Sequence, residues 1–197
     1  FQSVDTDANM TALGWTRSLN FTVTTSAANA KSGVRYYQYT NATTTGATSM
    51  QFIQTELIAN PSSFSFWVRR TSGTNILGYK VELLYSGTYY DLSNPSDLAT
   101  LGIASGDVSL PALAANNTYY PVTVNNIPNT LTNVRFRISD ARALSPATVL
   151  PGSIQADEFS WRSHVTTQNN EIIPLINSAA VCSVNVANSD VFYVYDK

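Results

Sequence analysis

The chain has 197 residues, of which 44% are hydrophobic and only 12% charged, with a formal net charge of −2. That length suits one domain with a substantial core, and the thin spread of 11 Lys and Arg argues against a nucleic-acid partner held by phosphate neutralisation. No apolar run approaches the roughly 20 residues of a membrane-spanning helix, and a single His and a single Cys exclude a Cys/His zinc cluster and an internal disulfide framework.

In chain order, period-two alternation of apolar and polar side chains predicts strands at Gly14–Thr25, Gly33–Thr40, Thr48–Thr55, Ser62–Arg70, Gly78–Ser86, Tyr119–Val124, Leu131–Ser139 and Ser153–Trp161. Phe64, Phe66 and Val68 point one way and Ser65, Trp67 and Arg69 the other. Val134, Phe136 and Ile138 likewise oppose Arg135 and Arg137, and Val81, Leu83 and Tyr85 oppose Lys80, Glu82 and Leu84. Half-buried antiparallel strands have this alternation, whereas parallel strands read as continuous apolar runs. The one good helix candidate starts at Pro95, with Asn94 as its cap and Gly102 as its stop. The predicted fold class is therefore all-β: an antiparallel β-sandwich, a jelly roll, with little helix.

After Trp161 the texture changes. Residues 162–170 are polar and linker-like, and further strands are expected at Glu171–Asn177, Ala179–Val186 and Asp190–Asp196. The expected organisation is a sandwich over 1–161 and a segment, 162–197, that completes it or pairs with a neighbouring subunit. Cys182 falls on the apolar face of its strand, as a buried thiol does. Val191, Phe192, Tyr193, Val194 and Tyr195 are β-prone and uncharged, so as a free edge they would invite aggregation and are expected to be paired.

Catalytic signatures are scarce. The sequence carries no Gly-x-Ser-x-Gly elbow, no phosphate loop and no dinucleotide turn. Its one histidine, His164, reads as a solvated linker residue, and paired carboxylates alone do not make a glycosidase. The expectation is a protein that is not an enzyme. Asp5 and Asp7, and Asp157 and Glu158, supply hard oxygen ligands suited to calcium, with turn chemistry as the alternative use of the same residues. Trp67 and Arg69, Tyr37 and Tyr39, and Arg135 and Arg137 form the candidate ligand or interface set, since aromatic and Arg side chains dominate sugar-stacking and protein-binding surfaces.

Phe1-Gln2, Leu13-Gly14-Trp15, Ala30-Lys31-Ser32-Gly33, Ser62–Val68, Tyr79–Ser86, Val134–Ile138 and Asp157-Glu158-Phe159 together resemble bacterial cleaved-adhesin or choice-of-anchor domains. The resemblance spans roughly residues 1–161. It implies a jelly-roll module of secreted surface proteins, related in fold to carbohydrate-binding modules, with calcium between an N-terminal Phe-Glu and a late Asp-Asp pair. Here Gln2 and Glu158 replace two of those acids, and Asp157 carries over best. Val191–Lys197 also resembles the Val-Tyr-Asp strand of a C-terminal sorting domain.

The sequence thus favours a structural or adhesive subunit of an extracellular or cell-surface assembly, with copies of itself as partners joined by strand pairing. A carbohydrate-binding module of a secreted protein, with glycans as partners, is the alternative. The start at Phe1 fits a secreted chain whose leader has been removed. Neither nucleic acid nor membrane insertion is expected.

Overall fold

The computed structural model describes residues 4–19, 21–41, 51–73, 79–140, 152–164, 172–174 and 181–183. The chain divides into two compact units, Phe1–Ser163 and His164–Lys197. The first begins with helix α1 (Asp7–Ala12), then strands β1 (Thr16–Arg17), β2 (Phe21–Thr25), β3 (Arg35–Asn41), β4 (Phe52–Gln54), β5 (Ile58–Ala59), β6 (Pro61–Gly73), β7 (Tyr79–Tyr85) and β8 (Thr88–Asp91). Helix α2 (Pro95–Leu101) and a 3-10 turn (Ser105–Asp107) lead to β9 (Val108–Ser109), β10 (Tyr120–Val124), β11 (Asn133–Asp140) and β12 (Gly152–Ser163). In the second unit, β13 (Ile172–Pro174) and β14 (Val181–Ser183) pair antiparallel, with Ile172 opposite Ser183.

The strands of the first unit form two antiparallel sheets. Sheet I has the order β1-β4-β11-β7-β8, with β5 pairing the start of β11; sheet II has the order β2-β3-β12-β6-β10-β9. The chain crosses between them, so the central neighbours β4-β11-β7 and β3-β12-β6-β10 come from distant sequence, while β2-β3, β7-β8 and β9-β10 are consecutive. This is the antiparallel β-sandwich that the alternation predicts.

The alternating apolar residues meet in the middle. Val81, Leu83, Phe136 and Ile138 of sheet I face Phe64, Phe66, Val68 and Ala156 of sheet II, all buried in one cluster. Phe64 and Phe136 stack across the gap, with ring centroids 3.9 Å apart and planes 4° from parallel. Phe159 joins Trp15 and Phe66 in a second aromatic group, at 4.9 Å and 5.5 Å. Burying a large aromatic side chain contributes roughly 1.5–3 kcal/mol, so these rings form the energetic centre of the sandwich.

Two local features depart from the simple alternation. The N-terminal segment, for which no helix was expected, forms α1: Thr6 caps it by accepting from Asn9 N, and Asp7 lies in its first turn, where the helix dipole favours an acid. In β12 the pairing slips between Asp157 and Ser160, and Glu158 has φ 53°. This β-bulge inserts one residue, so the inward phase passes from Ile154 and Ala156 to Phe159.

Candidate functional site

The sandwich has two outward faces, and they are built differently. On sheet II, Trp67 lies opposite Asp157 of β12 and Pro121 of β10. The segment 26–34, between β2 and β3, lies over this face. Lys31 places its Nζ 4.4 Å from the centre of the Trp67 ring, and its backbone N–H and that of Ser32 donate to Asp157 Oδ2 at 2.8 and 3.3 Å. Glu158 N–H donates to the other Asp157 oxygen at 2.8 Å. Arg69 is buried; its Nε donates to Gln155, its Nη2 donates to Asn29, and its guanidinium stacks 4.7 Å from the Tyr119 ring. The Tyr119 hydroxyl in turn donates to the carbonyl of Asn29. Each prominent side chain here is used to hold the 26–34 segment down, and Trp67 is half-buried beneath it.

Sheet I presents a different surface. Its cross-strand register aligns Thr16, Gln54, Arg137, Glu82 and Asp91 in one row across five strands. All five leave the backbone on the outward side, because Ile53, Val81 and Phe136, their neighbours in sequence or in the ladder, point into the core. Arg137 donates to Glu82 Oε2 through Nε at 2.7 Å and contacts it through Nη2 at 2.6 Å. Lys80 bridges Glu82 Oε1, at 2.9 Å, to Asp91 Oδ2, at 3.3 Å. Ser93 completes the chain of contacts by donating its N–H and hydroxyl to Asp91 Oδ1. Burial works against the Lys80 charge, but its contacts with Glu82 and Asp91 outweigh that and hold the ammonium above its usual pKa.

Tyr89, on the edge strand β8, lies flat over this row. Its ring centre is 3.4 Å from the Arg137 guanidinium, and its hydroxyl reaches across to donate to Gln54 Oε1 at 2.6 Å. Phe52 lies 5.9 Å from the same guanidinium. Tyr89 is nevertheless 38% exposed, against 7% for the Glu82 side chain and 13% for that of Arg137. A fixed aromatic plate therefore covers a nearly dry ion network and turns its other side to solvent. In a chain with only 11 basic and 13 acidic residues, four of them meet here. Taking these charges out of water costs free energy that their mutual contacts must offset.

The expected ligand set is thereby divided. Trp67 and Arg69 lie on sheet II under the 26–34 segment. Tyr37 and Tyr39, expected at a surface, are buried in the core, where Tyr37 stacks on Trp15 and Tyr39 on Phe21. Their shared face is the inward one; desolvation raises the Tyr37 pKa. Arg135 is on the outward side of sheet I but donates to the carbonyls of Gly14 and Thr55, so it fastens the chain before β1 and after β4. Arg137 remains, joined by Tyr89, Gln54, Glu82, Lys80 and Asp91, which the candidate set omits. The outward phase of Lys80 and Glu82 is readable from the alternation; their meeting with Asp91 and Arg137 needs the register.

Three of the four acids expected to bind calcium, Asp5, Asp7 and Asp157, accept from donors of the protein itself. Asp7 pairs with Arg17 through both oxygens, and that contact holds its carboxyl below the usual range. Asp5 accepts from Asn9 and from Thr6 N–H, which lower its pKa, and Arg35 sits nearby. Asp157 is fully buried, and desolvation raises its pKa against the effect of its three N–H donors. Among the described residues no three His, Cys, Asp or Glu side chains converge. The strand-pairing residues Val191, Phe192, Tyr193, Val194 and Tyr195 lie outside the described residues.

No family model matches the chain, and no curated protein matches it. The cleaved-adhesin resemblance therefore has no family match behind it. Solved structures to which the chain is similar are carbohydrate-binding β-sandwiches instead. A xylan-binding domain of CBM22 shares 16% identity over 84% of this chain and 96% of its own, with a TM-score of 0.48. The CBM22-1 xylan-binding domain of Paenibacillus barcinonensis Xyn10C shares 15% over 75% and 84%, with a TM-score of 0.45. TmCBM61, solved in complex with β-1,4-galactotriose, shares 15% over 76% and 88%, with a TM-score of 0.44. At such identities and scores the likeness does not say what this chain binds. Among the described residues no helix is long and apolar enough to cross a membrane.

Proposed function

We propose that the chain is a carbohydrate-binding module that holds a glycan against the outward face of sheet I, at Tyr89, without cleaving it. The observation that carries this reading is the exposed Tyr89 ring fixed over Arg137 and tethered to Gln54. A pyranose presents a C–H face that packs on an aromatic plate, while its hydroxyls extend sideways to polar groups. Gln54, bonded to the Tyr89 hydroxyl, and the Lys80 and Asp91 side chains of the same outward network supply such groups. Because the ring is already held at both ends, little conformational freedom is lost on binding. An extracellular setting, where glycans are displayed, accompanies this reading. Strand pairing between copies, the other expectation, depends on residues outside those described.

Affinity electrophoresis through gels carrying soluble polysaccharides tests the proposal. Tyr89→Ala should lose about three- to tenfold in affinity, the equivalent of one aromatic stack, while keeping its circular dichroism spectrum. Trp67→Ala, on the opposite face, should bind as the parent does. Binding that survives Tyr89→Ala and vanishes in a folded Trp67→Ala protein would contradict the assignment.

A further inference from the structure

Resting on that glycan reading, we infer that the ligand is an uncharged glycan, selected against uronate-bearing and sulfated chains by the closed charge network beneath Tyr89. Recognition of a carboxylate or sulfate needs a cation whose donors are free to turn to it. Neither cation of the network is free. Lys80 is shared between Glu82 and Asp91 at 2.9 and 3.3 Å. Arg137 gives Nε and Nη2 to Glu82 and presents its flat face to Tyr89.

The flanking charges are engaged as well. Arg135 is committed to the carbonyls of Gly14 and Thr55, and Asp97 accepts from the backbone N–H of Asp91. Two cations and two anions, Lys80 and Arg137 with Glu82 and Asp91, cancel within the network itself. An anionic sugar would have to displace Glu82 or Asp91 from its partner and leave that acid buried and unpaired, a large penalty. A neutral sugar makes no such demand: the paired groups can still offer remaining lone pairs and N–H bonds to its hydroxyls. The same pairing excludes cationic glycans, since each carboxylate is already neutralised.

The test uses the whole chain in gels containing neutral polysaccharides (galactan, arabinoxylan, mixed-linkage β-glucan) or anionic ones (polygalacturonate, heparin). At least one neutral polymer should retard the protein, with affinity changing less than about twofold between about 20 and about 500 mM NaCl, because no net charge is neutralised on binding. The anionic polymers should not retard it. Asp91→Asn keeps an acceptor for Ser93 but leaves the network with net positive charge, so this variant should begin to bind polygalacturonate in a salt-sensitive way. Tighter binding of the parent to polygalacturonate or heparin than to any neutral polymer would overturn the inference while leaving glycan binding intact. So would a folded Asp91→Asn protein that still excludes the anions. Retardation by none of the polymers would instead remove the glycan reading, and this inference with it.

Discussion

Asp7 and Asp157 are both carboxylates satisfied by protein donors, yet acid acts on them in opposite directions. Asp7, paired with Arg17, has its pKa lowered in the folded state. Its contribution is present above the unfolded value of about 3.9 and is lost as pH falls through the folded one. Asp157 is raised by desolvation, so the folded chain holds that proton more tightly than the unfolded chain does. Its ionisation costs stability as pH rises through the folded pKa, and that cost is absent below the unfolded one. Urea unfolding between about pH 2 and pH 7 should therefore show Asp7→Asn closing on the parent curve as pH falls below about 4, with its deficit confined to higher pH. Equal deficits for Asp7→Asn at both ends of the range would contradict the pairing. At this scale the sequence is legible in phase but not in sign. Alternation correctly separates Phe64, Phe66 and Val68 from Trp67 and Arg69, and it puts Tyr37 with Tyr39. It does not say which side of β3 is the core, because a tyrosine serves either side. Tyr36, on the opposite side, is buried too, so burial alone would not have resolved the choice.

Helix α2 shows an element whose ends are written in its residues. Asn94 accepts from Ser96 N–H, Pro95 opens the first turn, and Gly102 closes the helix at φ 70°. A Cβ at residue 102 would meet Pro128 at 3.5 Å, an ordinary contact, so the cost of Gly102→Ala is one of backbone conformation. It should destabilise the sandwich by about 1 kcal/mol, read as a lower urea midpoint with an unchanged slope; no loss would show that the left-handed turn is not required. Helix α1 was equally encoded, by Thr6 before Asp7, but the same acids also suit a metal-binding loop, and a six-residue helix has little periodicity to display. The bulge in β12 left a trace as well: the apolar phase runs Ile154, Ala156 and then Phe159, one residue late, around Glu158. Strands β5, β8 and β9 are two to four residues long and too short for alternation to mark. That is why the alternation does not pick out Tyr89, on β8.

For the molecule as a whole, low charge does not by itself mean a surface meant for copies of the same chain. Some of the few charges pair within the fold: Arg17 with Asp7 of α1, and Arg137, Glu82, Lys80 and Asp91 across sheet I. Sheet II has its central Trp67 and Arg69 tied under the 26–34 segment, whereas sheet I offers an exposed, braced ring. This asymmetry depends on strands distant in sequence, such as β4, β11 and β7, lying side by side, which is why the sandwich is legible from the sequence and the build of its outward faces is not. The most direct measurement of the central claim is an NMR titration of the isotopically labelled chain with a neutral polysaccharide that retards it. The account predicts shifts at the Tyr89 ring, the Gln54 amide and the Arg137 Nε–H, with the Trp67 indole unmoved. Shifts centred on Trp67, Arg69 and Tyr119 with Tyr89 unchanged would contradict it.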